Sequence, residues 1–302
     1  MTLPLPPGFE RLQIDADGYR FDAIACGAAA APLVVFLHGW PSFANCWSQI
    51  MAPVAAAGFR AVAVDQRGYS PGARPAEIGD YAIDHLVADI DAFARALAGG
   101  ARFHLVGHDW GGLIAWPYAA HHGERLASLS VLSTPHAKAF LEAMQSDPEQ
   151  RRMSAYIGVF RQPGHAAEEA LLADGARKLR ALYAGKLTDA AVEDNVARLS
   201  APGALTATLA WYRALDNKLL GAPVATPTLY IWGSEDQALG AAGAKATGRY
   251  VTGPYQFEIL DGRSHWLPEE APEAVAELLL GHLASFPAQR APIPDVDVSG
   301  FP

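Results

Sequence analysis

One segment leaves the chain few backbone options: Phe103-His-Leu-Val-Gly107-His108-Asp109-Trp110-Gly111-Gly112. An apolar run leads into it and a helical pattern leads out. Gly107 and Gly111 bracket Asp109, so strand and helix can approach closely around a strained turn that pushes the Asp109 side chain outward. This is the nucleophile-elbow pattern G-x-S-x-G with aspartate at the serine position. At a helix N-terminus the dipole and free N–H groups favour the ionised carboxylate. The competing reading is an ordinary strand–helix turn with an N-cap Asp, and the strand–turn–helix context outweighs it. Gly-x-Ser-x-Gly itself is absent.

The segments around this turn predict a sheet that it could crown. Residues 10–14 and 19–25, split by Asp15-Ala-Asp-Gly18, read as a hairpin. Continuous apolar runs at 33–38, 61–65, 103–107 and 126–132 read as strands buried on both faces. Helical patterns at 47–57, 83–98 and 111–121 alternate with them, which implies right-handed crossovers and a doubly wound, mostly parallel sheet. From 136 to 222 the pattern is helical, broken at Pro163-Gly164 and Pro202-Gly203. Strands resume at 226–232 and 256–260, before a helix over 268–285 and a proline-rich tail, 287–302, expected to lie extended on the surface. The expected division is a core of 1–135 and 223–302, with a helical cap of 136–222 inserted after the fourth parallel strand.

Composition narrows the class. Of 302 residues, 51% are hydrophobic and 18% charged, enough for a sizeable core, and no apolar run is long enough to span a membrane. The net charge of −9 argues against nucleic-acid or anionic-membrane partners. Cys26 and Cys46 are too few for a disulfide framework or thiolate cluster, and the N-terminus lacks the regions of a signal peptide, so a cytoplasmic setting is expected. The sequence has no metal cluster, P-loop or G-x-G-x-x-G, so no cofactor is implied. A monomer or a homodimer fits equally.

Chemistry gathers at strand ends. His38-Gly39-Trp40-Pro41 follows the 33–38 strand, where an oxyanion turn belongs, with the backbone N–H groups of Trp40 and Trp110 as donors. Asp236 follows the strand ending near 232, and His265 the one ending near 260; ligands collect at this edge of open α/β sheets. Nucleophile, acid and histidine thus run in the order Asp109, Asp236, His265. Glu235 is the runner-up acid and Asp261 a weaker one. Of ten histidines only His265 is so placed; His108 is expected to pack, and His121, His122 and His282 to be solvated or structural.

These residues resemble the α/β-hydrolase fold, in the branch of soluble epoxide hydrolases, from about Tyr19 to Leu283. The likeness rests on His38-Gly-Trp-Pro41, Asp65-Gln-Arg-Gly-Tyr69, Gly107-His-Asp-Trp-Gly111 and the His265 loop. Two cap segments add to it: Tyr156-Ile-Gly-Val-Phe160-Arg-Gln-Pro163-Gly164 and Trp211-Tyr212-Arg213. The resemblance implies that Tyr156 and Tyr212 point into the site as ring-opening acids. Tyr183 is read as an ordinary core or surface residue. Ser70-Pro-Gly-Ala-Arg-Pro75 departs from the family's small turn, which puts that loop's shape in question. Trp110, Phe160 and His136 are candidate substrate contacts, with a structural role for His136 at least as strong a reading, and Ile157, Val159, Phe160, Leu171 and Leu172 are a candidate apolar wall.

An aspartate nucleophile argues against ester cleavage, because attack on an ester carbonyl gives a mixed anhydride, whereas attack on saturated carbon gives an alkyl ester. His265 would then activate water against that ester, oriented by Asp236. An opening epoxide needs a proton donor, which two phenols supply; a departing halide needs only N–H donors, and Trp110 would serve. The tyrosine pair favours conversion of a small-molecule epoxide to a vicinal diol. Haloalkane dehalogenation is the alternative, and a non-catalytic binding homologue a weaker one.

Overall fold

The computed structural model describes residues 3–216 and 220–288. Almost all of the proline-rich tail lies outside the described residues. The opening hairpin pairs β1 (Phe9–Ala16) with β2 (Tyr19–Cys26), both longer than the sequence pattern suggested. Asp17 and Gly18 turn it with φ of 48° and 83°, values that suit the Asp-Gly pair. Next come β3 (Leu33–Leu37), α1 (Ser48–Ala56), β4 (Arg60–Val64), α2 (Ile83–Ala98), β5 (Phe103–His108), α3 (Trp110–His121) and β6 (Leu126–Leu132). Six helices follow: α4 (Ala137–Ser146), α5 (Pro148–Met153), α6 (Ala155–Phe160), α7 (Ala166–Leu182), α8 (Asp189–Leu199) and α9 (Ala204–Ala214). The chain then returns to the sheet through β7 (Thr228–Gly233), α10 (Ala241–Ala246), β8 (Tyr255–Leu260), α11 (Leu267–Glu270) and α12 (Pro272–Ser285).

The eight strands lie in the order β1-β2-β4-β3-β5-β6-β7-β8, parallel from β4 to β8. Alternate strand residues feed two cores, as a period of two demands. Val35, Leu37, Val62 and Val64 pack with Leu86, Ile90 and Phe93 of α2 and Ile114 and Trp116 of α3. Val34, Phe36, Ala61 and Ala63 face the other way, onto Ile50, Met51 and Val54 of α1 and Val275, Leu279 and Leu283 of α12. This double coverage is why β3 through β6 read as unbroken apolar runs.

Two helices depart from expectation. The helix expected over 268–285 breaks at Ala271 (φ −142°, ψ 45°), because Pro272 has no N–H and crowds the residue before it out of the helical region. α7 carries an internal kink, with Asp174, Gly175 and Ala176 all at positive φ. α10 was not anticipated; its run of small residues carries little periodic signal. The Ser70–Pro75 loop is tied down: Ser70 Oγ bonds the Asp65 carbonyl, and Arg74 donates to Gly68 O at 2.8 Å and Tyr69 O at 3.0 Å.

Candidate active site

The elbow forms as its glycines require. Asp109 sits at φ 51°, ψ −118°, between β5 and α3. A Cβ on Gly111 would lie 2.2 Å from Leu37 O, and one on Gly107 2.5 Å from Gly111 O, so only glycine lets strand and helix close here. Gly39 is equally constrained, since its Cβ would fall 2.3 Å from Asp109 Cβ. That close approach brings the Trp40 N–H to Asp109 Oδ1 at 2.7 Å. Thr134 Oγ1, just past β6, donates to Asp109 O at 2.7 Å and braces the strained residue.

Asp109, Asp236 and His265 meet at the C-terminal edge of the sheet. His265 Nε2 stands 3.5 Å from Asp109 Oδ2, and His265 Nδ1 2.8 Å from Asp236 Oδ2. The other Asp236 oxygen accepts the N–H groups of Ala238 (2.8 Å) and Leu239 (2.9 Å), so this carboxylate is held on both sides. Glu235 is exposed, and Asp261 is bonded to Ser234 Oγ instead (2.9 Å). The His265 carbonyl accepts from His108 Nε2 at 2.8 Å and Ser133 Oγ at 3.0 Å. His108 therefore does pack, but as a brace of the histidine loop.

Charge follows from this geometry. Burial opposes ionisation of Asp109, yet the adjacent His265, helped by His108 and the Trp110 N–H, holds its carboxyl below the ordinary value. Burial also opposes a charged His265, but the Asp236 and Asp109 carboxylates raise it to about 10. The resting pair is thus imidazolium and carboxylate. Burial lifts Tyr156 and Tyr212 above the ordinary phenol value, reinforced by Asp109, so both stay protonated at neutral pH.

Tyr156 of α6 and Tyr212 of α9 face each other across the site, with ring centroids 6.2 Å apart. Both line two lobes that meet at Asp109. One, of about 110 Å³, is walled by Leu113, Phe140, Leu141, Ile157, Leu215 and Leu239. The other, of about 180 Å³, is walled by Trp40, Met153, Leu182, His265 and Trp266. Trp110 lines the first lobe, as expected of a substrate contact, and its ring centroid lies 4.9 Å from that of Tyr212.

Other expectations need correction. His136 lines neither lobe: its Nδ1 accepts the Lys138 N–H (3.3 Å) to cap α4, and its Nε2 donates to Ala222 O (3.0 Å). Phe160 lies behind the pocket, with its ring 4.8 Å from Trp40, 5.2 Å from Tyr212 and 5.4 Å from Tyr156. Val159 is 57% exposed, because helical periodicity turns it away when Tyr156 and Phe160 face inward. Leu171 and Leu172 pack into the core without lining a lobe. Sequence reasoning missed Ser133 and Thr134, although their place just after a parallel strand is where this sheet gathers function.

Fold and site together define a hydrolase of the α/β type with a carboxylate where a nucleophile stands. The alpha/beta hydrolase fold family matches residues 32–272. Epoxide hydrolase 3 of Xenopus tropicalis is 33% identical over 89% of this chain and 76% of its own length. Epoxide hydrolase A of Mycobacterium tuberculosis is 31% identical over 91% of this chain and 97% of its own. Among solved structures, epoxide hydrolase A from Mycobacterium thermoresistibile superposes with a TM-score of 0.82 at 26% identity, covering 93% of this chain and all of that one. The chain belongs to the α/β-hydrolase fold family and, within it, to the epoxide hydrolases.

Proposed function

We propose that this protein is an epoxide hydrolase that converts a small-molecule epoxide to a vicinal diol, with 136–222 as its cap. The observation that carries the reading is the junction of the two lobes, where Asp109 faces two protonated phenols. Asp109 attacks an epoxide carbon; the C–O bond breaks, and a proton from Tyr156 or Tyr212 quenches the departing alkoxide. The product of this step is an alkyl ester on Asp109.

Ester formation removes the Asp109 charge, one of the two carboxylates that hold His265 protonated. Its pKa then falls, and its proton passes to the tyrosinate left by ring opening. The neutral imidazole takes a proton from water attacking the ester carbonyl carbon, and collapse of the tetrahedral intermediate breaks the acyl C–O bond. The new carboxyl gives its proton to the leaving alkoxide, which frees the diol and restores the Asp109 carboxylate. Asp236 stabilises the resulting imidazolium. The Trp40 N–H, already on Asp109 Oδ1, and the Trp110 N–H receive the oxyanion. No helix among the described residues is long and apolar enough to cross a membrane. The free thiols Cys26 and Cys46 support a cytoplasmic setting, and we take the protein to act as a monomer or homodimer.

One observation keeps dehalogenation as a second reading: Trp110, directly after Asp109, lines the first lobe, and its indole N–H is a donor that a departing halide could use. The deciding test is diol formation from styrene oxide by wild type and Asp109→Asn. Turnover that vanishes in the variant supports the mechanism. No diol across an epoxide panel, with halide released from haloalkanes, overturns it.

A further inference from the structure

Tyr212 stands between two tethered neighbours. Trp211, Tyr212 and Arg213 are successive residues of α9, each turned by about 100° from the last. The buried Trp211 indole donates to Arg67 O, in the loop after β4, at 2.9 Å. Arg67 is itself fixed: its guanidinium bonds both Asp89 oxygens on α2, at 2.6 and 2.8 Å. On the other flank, Arg213 bonds both oxygens of Glu168 on α7, each at 2.8 Å, and reaches Gly164 O at 3.2 Å. Both ion pairs are buried, with side chains between 4% and 9% exposed.

The contacts of Tyr212 itself fix its direction less tightly. Trp40, Trp110, Phe160 and Tyr156 meet its ring edge-on, at interplanar angles of 72° to 89°. Such contacts are individually weak and tolerate a range of angles. No side-chain bond caps α9 at its N-terminal Gly203. An α-helix with its side chains has a radius of about 5–6 Å, so a turn of about 10° about its axis carries a side-chain tip about 1 Å. A misplacement of about 1 Å can cost about 10²-fold in rate. The angle of α9 therefore matters to the chemistry.

A two-point guanidinium–carboxylate fork fixes an angle as well as a distance. Burial opposes ionisation of Glu168, yet Arg213 and the residue's own N–H hold its carboxyl below the ordinary value, so the pair is charged. Stability alone explains such a pair poorly, because packed apolar side chains in its place are often neutral or stabilising. We propose that Glu168, acting through Arg213, is a positioning residue that sets the rotation of α9 and so aims the Tyr212 hydroxyl at the opening epoxide oxygen. The bond from Trp211 to Arg67 is the second point of the same restraint. This rests on the epoxide hydrolase reading, with Tyr212 as a ring-opening acid.

Rapid-quench single turnovers, which separate ester formation from ester hydrolysis, test this on the full chain. Glu168→Gln should slow ester formation about tenfold and leave ester hydrolysis nearly unchanged. The slowing should persist in a Tyr156→Phe background and vanish in a Tyr212→Phe background, because a residue that acts through Tyr212 has nothing left to aim there. Glu168→Leu combined with Arg213→Met exchanges the pair for apolar packing, which should hold the urea midpoint but lose the fork. This double variant should slow ester formation in the same sense, and it carries the test if Glu168→Gln fails to fold. Three outcomes overturn the inference, each being what a merely structural pair would give: full-rate ester formation in the folded double variant, equal slowing of both steps, or further slowing by Glu168→Gln on top of Tyr212→Phe. A wild type that forms no ester overturns the epoxide reading, and this inference with it.

Discussion

The sheet side of the pocket is held by backbone, and the side of the proposed cap by aromatic rings. On the sheet side Asp109 is strained at positive φ, clamped by Gly39, and bonded through both main chain and side chain to Thr134 and Trp40. On the cap side Tyr156 and Tyr212 rest on Phe160, Trp40 and Trp110, with centroids 4.8 to 5.7 Å apart. Backbone strain and hydrogen bonds define one geometry steeply, whereas ring packing defines it by volume and tolerates small shifts. The proposed nucleophile should therefore answer to single-atom changes, and the proposed acids to changes in packing.

The largest break comes from His265→Gln. It should leave ester formation intact and stop hydrolysis, so the intact mass rises by one epoxide equivalent; an unmodified mass would count against a covalent route. Next is the cap. Tyr156→Phe combined with Tyr212→Phe should slow diol formation by about 10²–10⁴-fold, the usual worth of a placed acid, with the folded circular dichroism unchanged. Full-rate diol formation by the double variant would remove the phenols from the mechanism. Phe160→Ala touches only packing and should cost about 3–5 kcal/mol of stability, read as a lower urea midpoint. A KM raised more than kcat is lowered would show that the tyrosines merely loosened.

The last comparison is the pH dependence of stability. Burial lowers His38 and His108 to about 4 and His104 to about 3. Their unfolded-state value is near 6.5, so the unfolded chain takes up protons first as pH falls, and stability drains from about 6.5 down to 3. His265 has the opposite sign: raised to about 10, it contributes stability below 6.5 that is lost as pH rises toward 10. Urea midpoints measured from pH 4 to 10 should decline on both flanks. A midpoint still rising below pH 6 would mean that these histidines are not buried as neutral rings.

Asp109, Asp236 and His265 were legible in the chain because each lies within a few residues of a strand end, and local apolar pattern and glycine spacing mark those ends. The same holds for α2, whose bounds of 83 and 98 follow from periodicity alone. His136 was legible as a titratable residue near the pocket, but not as a cap on α4, because its partners Lys138 and Ala222 reach it only through the fold. Phe160 and Val159 sit one residue apart in a pattern that is apolar throughout; only packing against Trp40 and Tyr212 decides which faces inward. The sequence by itself determined the sheet, the elbow and the order of the proposed catalytic groups, which depend on neighbours along the chain. Which side chains of the proposed cap line the lobes, and what braces Asp109 and His265, were decided by tertiary structure, because those contacts join residues up to 157 positions apart.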